Sequence, residues 1–435
     1  MNWPDLNPHS FGNISNDEWM SLISKELKGN VTNWFPDNRL SISPYVHSAE
    51  GAQANPLPPK ALTSSGNDWL ITQSFTANDH LLDGLKNGVG RIRLSALPAD
   101  YERLLTGVFL NMVHIAISGN SSDIQGRLEA LYKIAKDQSG QLSLDVLWDP
   151  LSESFQIGKE MNSDQEKNLA ATCAWIKDRF PKARPLCVQS SRFFAAGATH
   201  SLELAVALSW SRMYIEMLGR HGFSVDDASA MLSFEMAADS NVFVTQAKFR
   251  ALRLAYAAMI EGMKAQHDCS AICAIHGVVD TKYYASADIN NNLIRNTLAA
   301  LAAVNGGVDS LEIPPHNMDI TDVHALRWSR NVHHLLKEEA GLDRVYDPGF
   351  GVGYVESLTQ SLLTNAYELL EQFGDRTTVF AQVTHLLKED QDALTESLNQ
   401  SEKPIIGVTR FSSSMSYKLQ KTGMDKLAPL ELITK

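Results

Sequence analysis

Beyond Asn67 the chain repeats one pattern: a short apolar or alternating run bounded by turn formers, then a longer stretch with apolar positions at helical spacing. Runs of the first kind read as strands, and a 3.6-residue recurrence reads as an amphipathic helix. On this basis strands are expected at 69–75, 91–97, 107–113, 141–148, 185–191, 230–236, 270–278 and 308–313, with helices such as 201–219, 242–264 and 291–304 between them. Strand-then-helix units favour a parallel sheet, and eight of them close into a (β/α)8 TIM barrel, an α/β fold. The competing doubly wound open sheet would carry a glycine fingerprint after its first strand, and nothing of that kind follows 69–75.

Two segments fall outside this repeat. At the N-terminus, SNDEWMSLISKELKG (15–29) places Ser15 and Glu18 as a capping box, with Trp19, Leu22, Ile23 and Leu27 on one face and Gly29 as C-cap. The Pro-, Ser-, Asn- and Gly-rich stretch that follows is too irregular to fold alone and reads as an arm, able to bury Trp34, Phe35 and Tyr45 against its own barrel or a partner. After Gly374 the pattern is helical, ending in the strand-like run KPIIGVTRF. The expected division is 1–66 for helix and arm, 67–373 for the barrel, and 374–435 for a helical extension or the start of a linker.

Composition narrows the function classes. With 435 residues, 44% of them hydrophobic, the chain can bury a large core. A formal charge of -12 argues against nucleic-acid or anionic-membrane partners, which need basic surface. No run approaches the roughly 18 apolar residues of a membrane span, and the start lacks a signal-peptide pattern, so the chain is expected in the cytoplasm. Four cysteines in such a length do not form a disulfide framework. His267, Cys269, Cys273 and His276 lie within ten residues. In a strand, however, His276 would face away from both cysteines, so no metal site is expected.

The stretch from Asn290 to Thr359 is the most specific. It orders an arginine-bearing helix, a Gly-Gly turn, a short strand, a helix opening RN and ending EEAGL, then DP and ESLT. Asn291, Asn292, Arg295, Gly306, Gly307, Ser310, Leu311, Arg330, Asn331, Glu338, Glu339, Gly341, Asp347, Pro348, Glu356, Leu358 and Thr359 carry the match. This order resembles the thioester-carrying barrel of methylmalonyl-CoA mutase, and the resemblance extends from the N-terminal arm to Thr359. Most matched residues sit where a barrel needs turns, caps and packing; Arg295, Arg330 and Asn331 are read as cap and ion-pair residues, and Asp322 as a helix cap.

The resemblance implies chemistry at the C-terminal ends of the strands, and there the chain departs from the family. The first strand carries Thr72, Gln73 and Ser74 where the family has Arg-Gln-Tyr. Ser143 stands for a thioester-binding glutamine, and Glu153 falls near a carboxylate-binding arginine. Arg192 occupies the position of a histidine, Glu312 and Pro314 those of a histidine and an asparagine, and His333 that of a glutamine. His276 matches a family histidine on the seventh strand. The mouth candidates are therefore Ser74, Ser143, Arg192, His276, Glu312 and His333, with Arg192, Glu153 and Glu312 able to form a salt-bridged plug.

No Asp-x-His-x-x-Gly cobalt-ligand motif occurs in these 435 residues. The resemblance thus implies a non-catalytic small (beta) subunit that binds no cofactor itself. It would pair as a heterodimer with a large subunit holding adenosylcobalamin, or form a homodimer when isolated. Two alternatives stay open: an active acyl-CoA mutase half served by a separate cobalamin-binding chain, and a regulatory barrel holding another ligand with Arg192 and Glu312.

Overall fold

A parallel sheet of eight strands forms the centre: β1 (Leu70–Ser74), β2 (Arg91–Leu94), β3 (His114–Ser118), β4 (Ser143–Leu147), β5 (Leu186–Val188), β6 (Leu232–Ala238), β7 (Ile275–Val279) and β8 (Ser310–Glu312). The computed structural model describes residues 14–29, 33–43, 46, 54–63, 66–95, 97–285, 289–400 and 402–411. Strands pair in the order β4-β3-β2-β1-β8-β7-β6-β5. The remaining seam is joined by Val146 N donating to Arg184 O (2.9 Å), Arg184 N to Leu144 O (2.8 Å) and Cys187 N to Trp148 O (3.0 Å). The ring is the (β/α)8 barrel expected from the pattern. Among the described residues no helix is long and apolar enough to cross a membrane.

Alternation along the strands divides each into two faces. Ile71, Ile92, Leu94, Ile115, Ile117, Leu144, Val146, Phe234, Met236, Ile275 and Leu311 belong to the main core cluster shared with the helices. The intervening positions face the axis and are largely polar, as their contacts across the barrel establish below.

Seven expected strands fall within a few residues of the observed ones; the third does not. The apolar stretch 107–113 is a turn: Gly107 has φ +77, Leu110–Met112 is a 3-10 turn, and Phe109 and Met112 are 73% and 78% exposed. The true strand is HIAIS, whose inward positions are His, Ala and Ser. The seventh strand is also shorter than expected, because Asp268–Ala271 is a 3-10 turn that leaves Cys269 exposed. The helices lie close to expectation, at His200–Arg220, Val242–Gly262 and Ile289–Asn305.

The N-terminal helix Asn16–Glu26 has the expected capping box, with Ile23 its one buried residue. In the arm, Trp34 and Ile42 form an antiparallel bridge, and Leu40 and Ile42 are buried while Trp34 and Phe35 remain 46% and 64% exposed. Tyr45 lies outside the described residues. Arg39 fastens this segment to the helix Val379–Asn399: its Nε donates to Asp390 Oδ1 (2.6 Å) and its Nη2 to Leu386 O (3.1 Å) and Glu389 Oε2 (3.2 Å). Asn38 Nδ2 adds a bond to Asp390 Oδ1 (3.1 Å). Arg39→Ala should therefore cost about 1–3 kcal/mol and speed protease cutting within 33–43, read by mass spectrometry of timed digests. An unchanged cleavage rate would mean that Leu40 and Ile42 hold the arm without help.

Candidate functional site

The mouth of the barrel, at the C-terminal strand ends, is crossed by one arginine. Arg93 on β2 reaches Glu235 on β6 (Nη1 to Oε2, 3.0 Å) and Glu312 on β8 (Nη1 to Oε2, 2.8 Å). Strands β2 and β6 are not neighbours, so this contact spans the axis. Three serines complete the set: Arg93 Nε donates to Ser118 Oγ (3.1 Å), Ser74 Oγ to Glu312 Oε1 (2.9 Å), and Ser191 Oγ to Glu235 Oε1 (3.1 Å). The side chains of Arg93, Glu235 and Glu312 are 20%, 7% and 17% exposed, so these pairs are sheltered rather than solvated. Burial alone would lower the Arg93 pKa, but Glu235 and Glu312 raise it on balance. Burial conversely pushes the Glu235 carboxyl up, and Arg93 and Arg192 bring it below its usual range.

Beneath this tier Ala116, Leu147 and Cys187 form a small apolar cluster separate from the main core. Below them lies a second polar tier centred on Asp145 of β4, which is fully buried. Arg91 Nη2 (3.1 Å), His114 Nε2 (2.6 Å) and His276 Nε2 (2.9 Å) approach Asp145 Oδ2, and Arg184 Nη1 lies 3.5 Å from Oδ1. His276 Nδ1 is 2.7 Å from Ser310 Oγ. Burial opposes ionisation of Asp145, yet His114 and His276 hold its pKa well below the usual value. Burial and then the Arg91 charge push His276 down to about 4. Branched aliphatic side chains ordinarily fill a barrel of this type in layers. Here two ionic tiers take their place.

Not all the residues named from the sequence meet at the mouth. Ser74 and Glu312 lie there, joined to each other. Arg192 is the second residue of the short helix Ser191–Ala195 and is exposed, with no ion pair among the described residues; Glu235 feels its charge without direct contact. Glu153 is half-buried and accepts from Ser121 N through both oxygens (3.1 and 3.0 Å). The plug is therefore built on Arg93, and neither Arg192 nor Glu153 belongs to it.

Ser143 is the first residue of β4, at the foot of the barrel, about 13 Å below the strand's last residue at roughly 3.3 Å per residue. His276 belongs to the lower tier. His333 is outside the barrel altogether, at the end of the helix Val323–His334, where its Nδ1 accepts from Trp69 Nε1 (3.0 Å). Burial, reinforced by Lys337, pushes its pKa down to about 3.

Arg93 went unnamed in the sequence, although Arg91 and Arg93 stand two apart in a strand and so share its inner face. Of the helix residues named, Arg330 makes an ion pair, Arg295 hydrogen bonds and Asp322 a cap. Arg330 donates to Gln73 Oε1 and Asp83 Oδ2 (both 2.8 Å), Arg295 to Asn292 Oδ1 (2.9 Å) and Ile406 O (2.6 Å), and Asp322 caps its helix. Among the described residues no cluster of His, Cys, Asp or Glu could hold a metal ion. Chemically, the mouth presents hydroxyls that donate to carboxylates already neutralised by Arg93.

Comparison with known proteins adds a second line. The family model described as methylmalonyl-CoA mutase matches residues 88–429. A methylmalonyl-CoA mutase small subunit of Streptomyces virginiae is 30% identical over 376 residues, 81% of this chain and 60% of the relative. One of Porphyromonas gingivalis is 26% identical over 399 residues, covering 84% of this chain and 63% of the relative. The large subunit of Streptomyces virginiae is 26% identical over 331 residues, 72% of this chain and 44% of that protein. The chain thus spans less than two thirds of the length of these relatives. With an eight-stranded barrel and a family match over most of its residues, this chain belongs to the methylmalonyl-CoA mutase family.

Proposed function

We propose that this chain is the barrel of a methylmalonyl-CoA mutase small subunit that performs no chemistry itself. It supports a large subunit that interconverts methylmalonyl-CoA and succinyl-CoA with adenosylcobalamin, as a cytoplasmic heterodimer serving propionate metabolism. The observation that carries the reading is the Arg93 bridge to Glu235 and Glu312 across the axis. A thioester entering there would have to displace Arg93 and strand two sheltered carboxylates, at about 3–5 kcal/mol.

Nor do the residues fit the cofactor. The single Asp-x-His of the chain is Asp322-Val323-His324, followed by Arg327 in place of the motif's glycine. Asp322 spends its Oδ1 on the amides of His324 (2.9 Å) and Ala325 (3.2 Å). The family names of the relatives, small and large subunit, favour the two-chain assembly over an active half. The arm, with Trp34 and Phe35 exposed, suits the wrapping of a partner, and the isolated chain would pair with itself.

Purification from the native cell followed by mass spectrometry should recover a larger mutase chain at equal stoichiometry. The isolated chain, supplied with adenosylcobalamin, should form no succinyl-CoA from methylmalonyl-CoA. Recovery of the chain alone, or a thioester seen in a crystal with Arg93 displaced, would overturn the proposal.

A further inference from the structure

Beside the axis, above the ends of β5, β6 and β7, lies a cavity of about 1010 Å³. Its walls come from the loops after these strands, the arm at 34–38, the helices Ile289–Asn305 and Val379–Asn399, and residues 402–406. Of its lining the sequence pointed to Trp34, Phe35, Asn291 and Arg295, but not to its lysines. The acidic groups in the lining are mostly committed. Asp37 and Asp239 flank His200 (3.4 and 3.3 Å), Asp239 also accepts from Thr245 Oγ1 (2.7 Å), and Asp390 takes Arg39 and the Thr199 amide (2.9 Å). Glu402 is exposed at the rim.

The ammonium groups are not so well matched. Lys282 Nζ is sheltered, donates to Phe194 O (3.1 Å) and lies against the Phe194 ring; its closest carboxylate, Asp280, is 3.9 Å away. Lys403 Nζ makes no ion pair among the described residues and sits 4.9 Å from the Tyr283 ring centre, with Lys282 Nζ 5.2 Å from the same centre. Two like charges thus share one aromatic ring, and burial lowers Lys282 to about 8 against the pull of Asp280 and Asp239, with Lys403 adding to the fall. Burial raises the Tyr283 phenol, which keeps its proton for donation. Trp34, Phe35, Ile294 and Ile406, all substantially exposed, offer an apolar wall to whatever enters.

We propose that this cavity binds a small organic anion, its carboxylate or phosphate group held by Lys282, Lys403 and Tyr283 and its apolar body lying against Trp34 and Phe35. The reasoning is electrostatic. An anion entering this cavity, which both ammoniums line, offsets their repulsion and gains charge-assisted hydrogen bonds in a sheltered setting, and a concave site with an apolar wall and a few convergent polar groups is the ordinary form of a small-molecule site. The inference is independent of whether the barrel axis is plugged.

Calorimetric titration of the whole chain with benzoate, phenyl phosphate and benzyl alcohol tests it, the three probes sharing one ring and differing in head group. At least one acid should bind one-to-one with a dissociation constant below about 1 mM, and the stronger of the two identifies the head group. Benzyl alcohol should bind at least about tenfold more weakly, and Lys403→Gln and Tyr283→Phe should each weaken the acid by about tenfold. Lys403 is only half-buried on the 402–411 segment, so its replacement tests binding without threatening the fold in the way Lys282→Met could. Failure of both acids to saturate, equal binding of the alcohol, or full affinity in Lys403→Gln would each overturn the proposal.

Discussion

Asp145→Ala should lower the stability of the folded chain by about 3–5 kcal/mol, the usual result of breaking a buried charge cluster. The carboxylate is fully buried, and Arg91, His114, His276 and Arg184 all approach it within 3.5 Å. Without it the Arg91 guanidinium, also buried, keeps its positive charge and loses its counter-ion. Against a typical total of about 5–15 kcal/mol, this is enough to leave a measurable fraction unfolded at 37 °C. Asp145→Asn, which keeps the shape and one acceptor, should fall between wild type and alanine. The check is urea unfolding of all three proteins; a loss under about 1 kcal/mol for alanine would mean that the lower tier does not depend on its central carboxylate.

Acidification below pH 6.5 should destabilise the protein through His276 and His333, partly offset by Glu153, Asp280, Asp347 and Asp390, whose carboxyls burial holds above their usual range. His276 and His333 have folded pKa values of about 4 and about 3, against 6.5 for an ordinary histidine. Between pH 6.5 and 4 the unfolded chain therefore binds more protons at these sites than the folded chain, so stability is full above this window and falls as pH drops through it. Each histidine contributes a slope of up to about 1.4 kcal/mol per pH unit, or about 3 kcal/mol for His276 across its window. His200 does not offset this: burial would lower its pKa, but Asp239 and Asp37 raise it on balance, so its contribution is present below pH 6.5 and lost on the alkaline side. Below pH 3.8 protonation of Asp145 adds to the loss. Denaturant unfolding at steps from pH 7 to 4.5 should show this fall, and His333→Gln, which keeps an acceptor for Trp69, should remove about half of the slope. Stability that stayed level from pH 6.5 to 4.5 would contradict the assignment of two buried, neutral imidazoles.

The barrel was legible because its outward faces are apolar in runs bounded by turns: Ile71 in β1, Ile92 and Leu94 in β2, Leu144 and Val146 in β4. The third strand was not, because its inward residues are His114, Ala116 and Ser118, while the more apolar Val108 to Val113 stretch belongs to the turn before it. A strand that turns polar residues toward an axis looks like a loop until closure is known. The same blindness hid Arg93: an arginine within a strand suggests a solvent-facing position, and only the curvature of a closed sheet makes that face an interior. Glu312 was identified from its place at a strand end. Its partner lies 219 residues away, a separation that local pattern cannot bridge. The position aligned with a family histidine drew attention to Arg192, but alignment fixes a backbone place and not a contact.

The charged bridge at the barrel mouth also limits how this lineage can change. Replacing Arg93 alone strands two carboxylates, and replacing either glutamate alone weakens the hold on a sheltered guanidinium, so each single step toward a hollow bore lowers stability. Only coordinated replacement of all three escapes that penalty. The bridge therefore behaves as one unit under mutation, its three charges kept together or exchanged together.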